Sequence, residues 1–153
     1  MEWMLMPYRK LYRLIEGRSS RQEYWMFTLF NVLVLLGVLA IMFLFVGGAS
    51  ALDPTDMGAL MAGAGIFMML LLIPIYAWAI LAGVAGVAVT IRRLHDLNLS
   101  GWLYLGFFVL MLIPFVNFLA WIGLIVVMCL PGTAGPNKYG EDPLNPVSVN
   151  TFE

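Results

Sequence analysis

Charge is what this chain has least of: eight Lys and Arg and nine Asp and Glu in 153 residues, 11% where soluble domains carry roughly a quarter. It has one cysteine and one histidine, and no acidic or basic residue lies within residues 25–46, 58–91 or 102–130. Each shortage excludes something. A net charge of −1, without a strip of interleaved basic and aromatic residues, argues against nucleic acid as a partner. The lone Cys129 cannot close an intrachain disulfide, and nothing near it lowers its pKa, so it reads as a small lipid-facing or packed residue rather than a catalytic thiol. No metal-ligand set and no cofactor motif is recognisable, and none is expected. The uncharged runs lack the ionisable groups that ion and proton paths use, which disfavours a monomeric transporter.

What is present is apolar: 62% of the residues are hydrophobic. Residues 25–46 match the ~20 needed to cross ~30 Å of hydrocarbon. Residues 58–91 exceed one perpendicular span, and tilt or a kink at Pro74 absorbs the excess. Residues 102–130 are broken by Pro114 and Asn117 into one bent span or two short helices forming a hairpin. The expected fold is an all-α integral membrane protein, with three long apolar blocks forming three or four transmembrane helices. A short N-terminal interfacial helix over 1–16 and a loop-rich C-terminal tail complete it. A single domain covers 1–143, including an ordered loop over 132–143, and 144–153 is expected to be disordered. Small residues four apart, Ala59 and Gly63, Ala79 and Gly83, and Ala82 and Gly86, permit close helix packing within one chain or in a homo-oligomer.

The few charges orient the chain. Arg9, Lys10, Arg13, Arg18 and Arg21 precede the first run and Arg92 and Arg93 follow the second, whereas the first connecting loop has only Asp53 and Asp56. The positive-inside rule puts the N-terminus and the Arg92 loop in the cytoplasm. A hairpin in the third block returns Lys138 to that side, and a single crossing exports it; the hairpin is favoured. Some two dozen residues precede the first run, which therefore reads as a retained anchor rather than a cleaved signal. Within residues 2–16, Met4, Tyr8, Leu11, Tyr12 and Ile15 recur at helical spacing beside basic residues, as in a helix lying on a leaflet, with Pro7 in its first turn.

Polar residues gather in three motifs: GRSSRQEYW (17–25), RRLHDLNLSGW (92–102) and GTAGPNKYGEDP (132–143). In the first, Ser19 or Ser20 caps the first membrane helix, Glu23 sits in its opening turn, and Tyr24 and Trp25 anchor it at headgroup depth. In the second, Arg92 and Asp96 are four apart and suit an ion pair. An unpaired charge near hydrocarbon costs several kcal/mol, so Arg92, Arg93 and Asp96 are expected to pair with one another, with Glu23, or with lipid phosphate. His95 reads as a hydrogen-bonded residue ordering the loop; Ser100 and Gly101 form a turn and helix start, and Trp102 is a further anchor. The third motif, rich in turn formers, is expected to dock on the other two, with Asn137, Lys138 and Tyr139 near Asp96 or Glu23.

In their order and spacing these motifs resemble the domain-of-unknown-function 805 family over residues 12–143. The resemblance implies a small, multi-pass bacterial inner-membrane protein and supplies no reaction. Where relatives often carry a polar stretch, Leu97, Asn98 and Leu99 predict a loop that hugs the membrane.

The functional expectation is a noncatalytic lipid-associated or protein-interaction module. Arg18, Arg21, Arg92 and Arg93 meet lipid phosphate or an acidic partner, and Glu23, His95, Asp96, Ser100, Asn137, Lys138 and Tyr139 form a structural polar cluster. The partners are membrane lipids, with a protein partner or a homo-oligomer left open. Two alternatives stand beside it: a membrane-embedded enzyme acting on a lipid-linked substrate through His95 and Asp96, and a subunit of a small oligomeric channel or transporter.

Overall fold

The computed structural model describes residues 2–50 and 57–145, and every regular element within them is helical. Helix α1 spans Glu2–Arg9 and passes into a 3-10 turn over Lys10–Arg13; α2 spans Arg21–Ser50, α3 Met57–Asp96, α4 Trp102–Met111 and α5 Val116–Cys129. The only β pairing among the described residues is an isolated bridge between Asn137 and Gly140. The loop with Asp53 and Asp56, and the predicted tail beyond residue 145, lie outside the described residues.

Among the described residues two stretches are long and apolar enough to cross a membrane: Arg21–Leu44, with mean hydropathy 2.6, and Met69–Asp96, with 2.2. At ~1.5 Å per residue each exceeds ~30 Å of hydrocarbon. Helix α2 opens four residues before its apolar run because Ser20 caps it, its Oγ accepting from the Glu23 amide at 3.2 Å. Helix α3 continues through Pro74 and runs five residues past its apolar stretch to Asp96. Hydroxyls inside these helices are satisfied locally: Thr28 donates to the Tyr24 carbonyl at 2.9 Å and Thr90 to the Gly86 carbonyl at 2.7 Å.

The third apolar block forms two short helices. Joined by a turn over 112–115, in which Phe115 adopts a φ of 66°, α4 and α5 fold back on each other. Their 10 and 14 residues extend only ~15 and ~21 Å.

The chain divides into two compact units, Met1–Thr28 with Val84–Glu153, and Leu29–Gly83. In the second, the described side chains are largely exposed apolar ones, among them Leu33, Leu36, Phe43, Leu70, Ile73 and Tyr76. Such a surface suits lipid rather than water. The first unit has two small apolar clusters. Phe27, Ala85 and Val89 are covered by Tyr8, Leu11 and Tyr24, whereas Leu94, Leu124 and Met128 are covered by residues that include Leu99, Tyr104, Phe107 and again Tyr24. The Tyr8 and Phe27 rings lie 5.2 Å apart.

Helix α1 and its 3-10 turn are therefore packed onto the unit by Tyr8 and Leu11 respectively, while Tyr12 and Ile15 of the same predicted stripe are exposed. Pro7 lies beyond the first turn of α1, and its ring is buried. Its missing amide removes a helical hydrogen bond, and the α-helix gives way to the 3-10 turn three residues later.

At the end of α3 the Leu99 amide reaches the Leu94 carbonyl at 2.9 Å and the Asn98 amide reaches the His95 carbonyl at 3.0 Å. Asn98 has φ 60°, and Leu99 packs near Leu94, which makes this a Schellman stop with its usual apolar contact. Leu99 is thus turned into the protein, not laid on the membrane surface. A β-branched residue is strained at such a φ, by ~1–2 kcal/mol for the left-handed region. Asn98→Val is expected to lower the thermal midpoint in detergent, and Asn98→Gly to preserve it.

Candidate functional site

Among the described residues of the first unit, the buried polar and charged set is nearly as long as the buried apolar one. It comprises Arg18, Ser19, Ser20, Glu23, Thr90, Arg92, Arg93 and Asp96. Charges are rarely enclosed without partners, because desolvating each costs several kcal/mol. The partners come from all three motifs.

Asp96, the last residue of α3, is the centre. Its Oδ1 accepts from Arg18 Nε at 2.9 Å and pairs with Arg18 Nη2 at 2.8 Å; its Oδ2 accepts from Arg93 Nη1. Arg18 extends beyond it, donating through Nη1 to the Gly135 carbonyl at 2.6 Å and through Nη2 to the Thr133 carbonyl. Arg93 Nη2 donates to the Leu130 carbonyl at the end of α5. One carboxylate and two guanidinium groups thus join the chain before α2, the end of α3 and the loop after α5.

Glu23 holds the other end of the cluster. Its Oε2 accepts from Lys10 Nζ at 2.9 Å, and Oε1 lies 3.8 Å from Arg92 Nη2. Arg92 also donates through Nε to Ser19 Oγ at 3.1 Å, and through Nη1 to the carbonyls of Leu14 at 3.2 Å and Lys10 at 3.4 Å. A cation set against the carbonyls at the end of a helical turn complements both their free lone pairs and their dipole.

The 132–143 loop is held mainly through backbone. Thr133 donates its amide and its hydroxyl to the Asp96 carbonyl, both at 2.9 Å, and Asn137 Nδ2 donates to the His95 carbonyl at 2.9 Å. Paired amide–carbonyl bonds between Asn137 and Gly140, 3.0 and 3.1 Å, close a tight turn in which Gly140 has φ 134°. Tyr139 lies flat on His95, with ring centroids 3.8 Å apart and planes 3° from parallel. His95 Nδ1 is 3.3 Å from the Gly17 carbonyl, and its other edge lies against Gly101, where a Cβ would stand 3.1 Å from Nε2. A Cβ on Gly132 would overlap the Asp96 carboxylate, its Cγ only 2.7 Å away, so only glycine lets the loop approach Asp96.

These placements change several expectations. Arg18 and Arg92 are buried and direct their hydrogen bonds inward, Arg93 is buried with both terminal nitrogens engaged, and of the four proposed anion-binding arginines only Arg21 is exposed. Its Nη1 reaches the Cys129 carbonyl at 3.4 Å. The four-apart pair of Arg92 and Asp96 does not form, because Asp96 is taken by the three-apart Arg93 and by distant Arg18. Ser20 rather than Ser19 is the cap. Tyr24 joins both apolar clusters and is more than a headgroup anchor; Trp25 is partly exposed and Trp102 largely so. Of the third motif, Asn137 and Tyr139 reach the end of α3, whereas Lys138 is exposed with its Nζ 4.9 Å from the Tyr139 ring. Ser100 is exposed; its hydroxyl accepts a 3.4 Å bond from the Trp102 amide and its carbonyl a 3.1 Å bond from the Leu103 amide, both within the start of α4. Asp96 gives both oxygens to arginines, so it does not orient His95 as an acid–base pair would require.

Asp142 lies outside the membrane segments. Its carboxyl is held below the usual value by the Leu144 amide at 2.9 Å, helped by the Gly135 amide at 3.2 Å. A depressed folded pKa stabilises the loop above the ordinary carboxylate range of ~4, and that stabilisation disappears as pH falls through the lowered value. The difference in thermal midpoint between the wild type and Asp142→Asn should be constant near neutrality and vanish in acid.

A family described as protein of unknown function (DUF805) matches residues 12–141. The inner membrane protein YhaI of Escherichia coli (strain K12) is 35% identical over 143 residues, covering 94% of this chain and 96% of its own length. The inner membrane protein YhaH of the same strain is 36% identical over 143 residues, covering 94% and 97%. No solved structure matches. These matches and the apolar helices make the chain an integral membrane protein of the inner-membrane kind.

Removing one partner of a buried pair leaves an uncompensated charge, at a cost of ~3–5 kcal/mol. Asp96→Asn, which unpairs two guanidinium groups while keeping the shape, is expected to lose stability on that scale in denaturant titration. Gly132→Ala is expected to lose ~1–3 kcal/mol by overpacking.

Proposed function

The chain belongs to the DUF805 family, and on that premise we propose that it is a noncatalytic inner-membrane binding module whose three polar motifs form a clasp on the cytoplasmic face. Helices α2 and α3 cross the membrane, the N-terminus is cytoplasmic, and the α4–α5 hairpin enters and returns on that same side. The observation that carries the topology is that both ends of the hairpin are tied to the end of α3. Gly101 lies against Ile91 and His95, and the Leu130 carbonyl takes the Arg93 guanidinium. Helices of ~15 and ~21 Å suit a hairpin that enters without traversing ~30 Å.

The noncatalytic reading is supported by how the ionisable groups are used. Both Asp96 oxygens are taken by guanidinium donors, and His95 is stacked on Tyr139 and set against backbone at both edges. A general base needs a free partner within hydrogen-bond reach of substrate. The clasp instead gives a rigid rim from which Arg21 projects, the part of the molecule a lipid headgroup or an acidic protein segment meets.

Two measurements test this reading. In a Cys129→Ser background, single cysteines at Asn98 and Lys138 should react with an impermeant maleimide only after the inner face is opened; opposite-side labelling of the two positions overturns the topology. Purified protein incubated with a total membrane lipid extract should return every lipid chemically unchanged. A converted lipid whose formation is lost in His95→Ala would make the protein an enzyme.

A further inference from the structure

Beside the clasp lies a cavity of about 430 Å³, lined by residues of all three motifs, among them Arg21, Gln22, Arg93, Asp96, Thr133 and Asp142. We propose that it seats one phosphate group, carried by an anionic phospholipid headgroup; the assignment rests on the binding-module reading above and names its ligand class.

Charge balance is the first ground. Among the described residues the buried charged groups are Arg18, Arg92 and Arg93 against Glu23 and Asp96, a surplus of one positive charge that Asp142, partly exposed at the cavity wall, meets only in part through Arg18. Lys10, paired with Glu23, adds to it. A desolvated surplus of that kind is costly unless an anion compensates it.

Geometry is the second. Arg21 and Arg93 converge on successive carbonyls at the end of α5, those of Cys129 and Leu130, so two guanidinium groups stand side by side on one wall. Arg93 is fully buried, yet its Nε has no hydrogen-bond partner. Arg21 has only the 3.4 Å contact with Cys129 and is otherwise available. Two acids also border the cavity, but their oxygens are already engaged: Asp96 by Arg18 and Arg93, Asp142 by the amides of Gly135 and Leu144. The opening residues of the 30-residue helix α2, Arg21 and Gln22, line the same space. Their amides have no partner inside the helix, and the positive end of its dipole faces the site. Donors are in surplus and acceptors are spent, which is what a tetrahedral oxyanion requires.

Placement favours a lipid as the source. Arg21 is the first residue of the apolar stretch Arg21–Leu44, and the cavity walls continue into Pro131 and Leu144, so an occupant stands beside acyl chains as well as charge.

The experiment uses the full-length protein in mild detergent with two probes, phosphatidylglycerol in mixed micelles and inorganic phosphate without lipid. Binding is read by native mass spectrometry and by the shift in thermal midpoint. Wild type should retain one phosphatidylglycerol per chain in preference to phosphatidylcholine, and Arg21→Glu should weaken retention at least tenfold. The ligand-free midpoint of that variant should remain close to wild type, because Arg21 is exposed. Arg9→Glu, an exposed arginine on α1, should bind as wild type does. Stabilisation by inorganic phosphate alone, lost in Arg21→Glu, supports the phosphate seat and transfers it from a lipid to a soluble source. Retention that Arg21→Glu leaves intact, or an equal loss in Arg9→Glu, overturns the proposal. Either result leaves the binding-module reading standing, since that reading fails by opposite-side labelling or by lipid conversion.

Discussion

The arrangement depends on Asp96, a carboxylate enclosed at the end of a membrane helix and held by two arginines from different parts of the chain. In a medium of low effective dielectric, the attraction between such groups is several times that at a wet surface, and so is the penalty for leaving one alone. The choice at this position is between a complete set of partners and a strongly destabilised end of α3. Arg93 supplies one partner from the preceding turn of the same helix. Arg18 supplies the other across 78 positions of sequence, which makes the constraint tertiary.

From that constraint the order of the loop follows. A segment rich in glycine and proline loses much conformational entropy when fixed, and residues 132–143 bring little apolar surface to offset it. They are held at backbone carbonyls: those of Thr133 and Gly135 accept from Arg18, while the Thr133 hydroxyl and the Asn137 side-chain amide donate to the last carbonyls of α3. Each of these bonds also satisfies a helix end or a buried donor, so the loop serves as the C-terminal cap of α3. Arg92 does the same for the end of the N-terminal helical turn, and Arg93 and Arg21 for the end of α5. Arginines at helix ends, more than apolar packing, join the elements of this unit.

Much of this was legible in the residues. Uninterrupted apolar runs announced α2 and α3, Pro114 and Asn117 marked the break between α4 and α5, and the need to pair charges near hydrocarbon foretold a common polar cluster. Pairing partners were legible in part: Arg93 with Asp96 and Arg92 with Glu23 were among the pairs expected, the four-apart pair of Arg92 with Asp96 does not form, and Arg18 with Asp96 was not legible because helical spacing reports only neighbours within one helix. Nor does a sequence display carbonyl acceptors, so the roles of Leu14, Leu130, Thr133 and Gly135 were invisible. Gly132 and Asn98 carried a recognisable signal, a glycine and an asparagine beside a polar turn, but the reason for each is a close approach or a positive φ that only the folded backbone defines. Charge at a membrane edge does not tell whether the protein itself supplies acceptors, and for Arg18 and Arg92 it does.

Enclosing the arginines sharpens the functional account. A residue whose donors are all committed inside the protein is not free to greet a ligand, so the proposed binding role contracts from four arginines to Arg21 with Arg93 behind it, the clasp holding that rim in place. The most direct test is hydrogen exchange on the full-length protein with Arg18→Met, which removes the clamp and keeps the length of the side chain. The account predicts that amides over 133–140 lose protection by orders of magnitude while those within α2 and α5 keep theirs. Unchanged protection of the loop would contradict it.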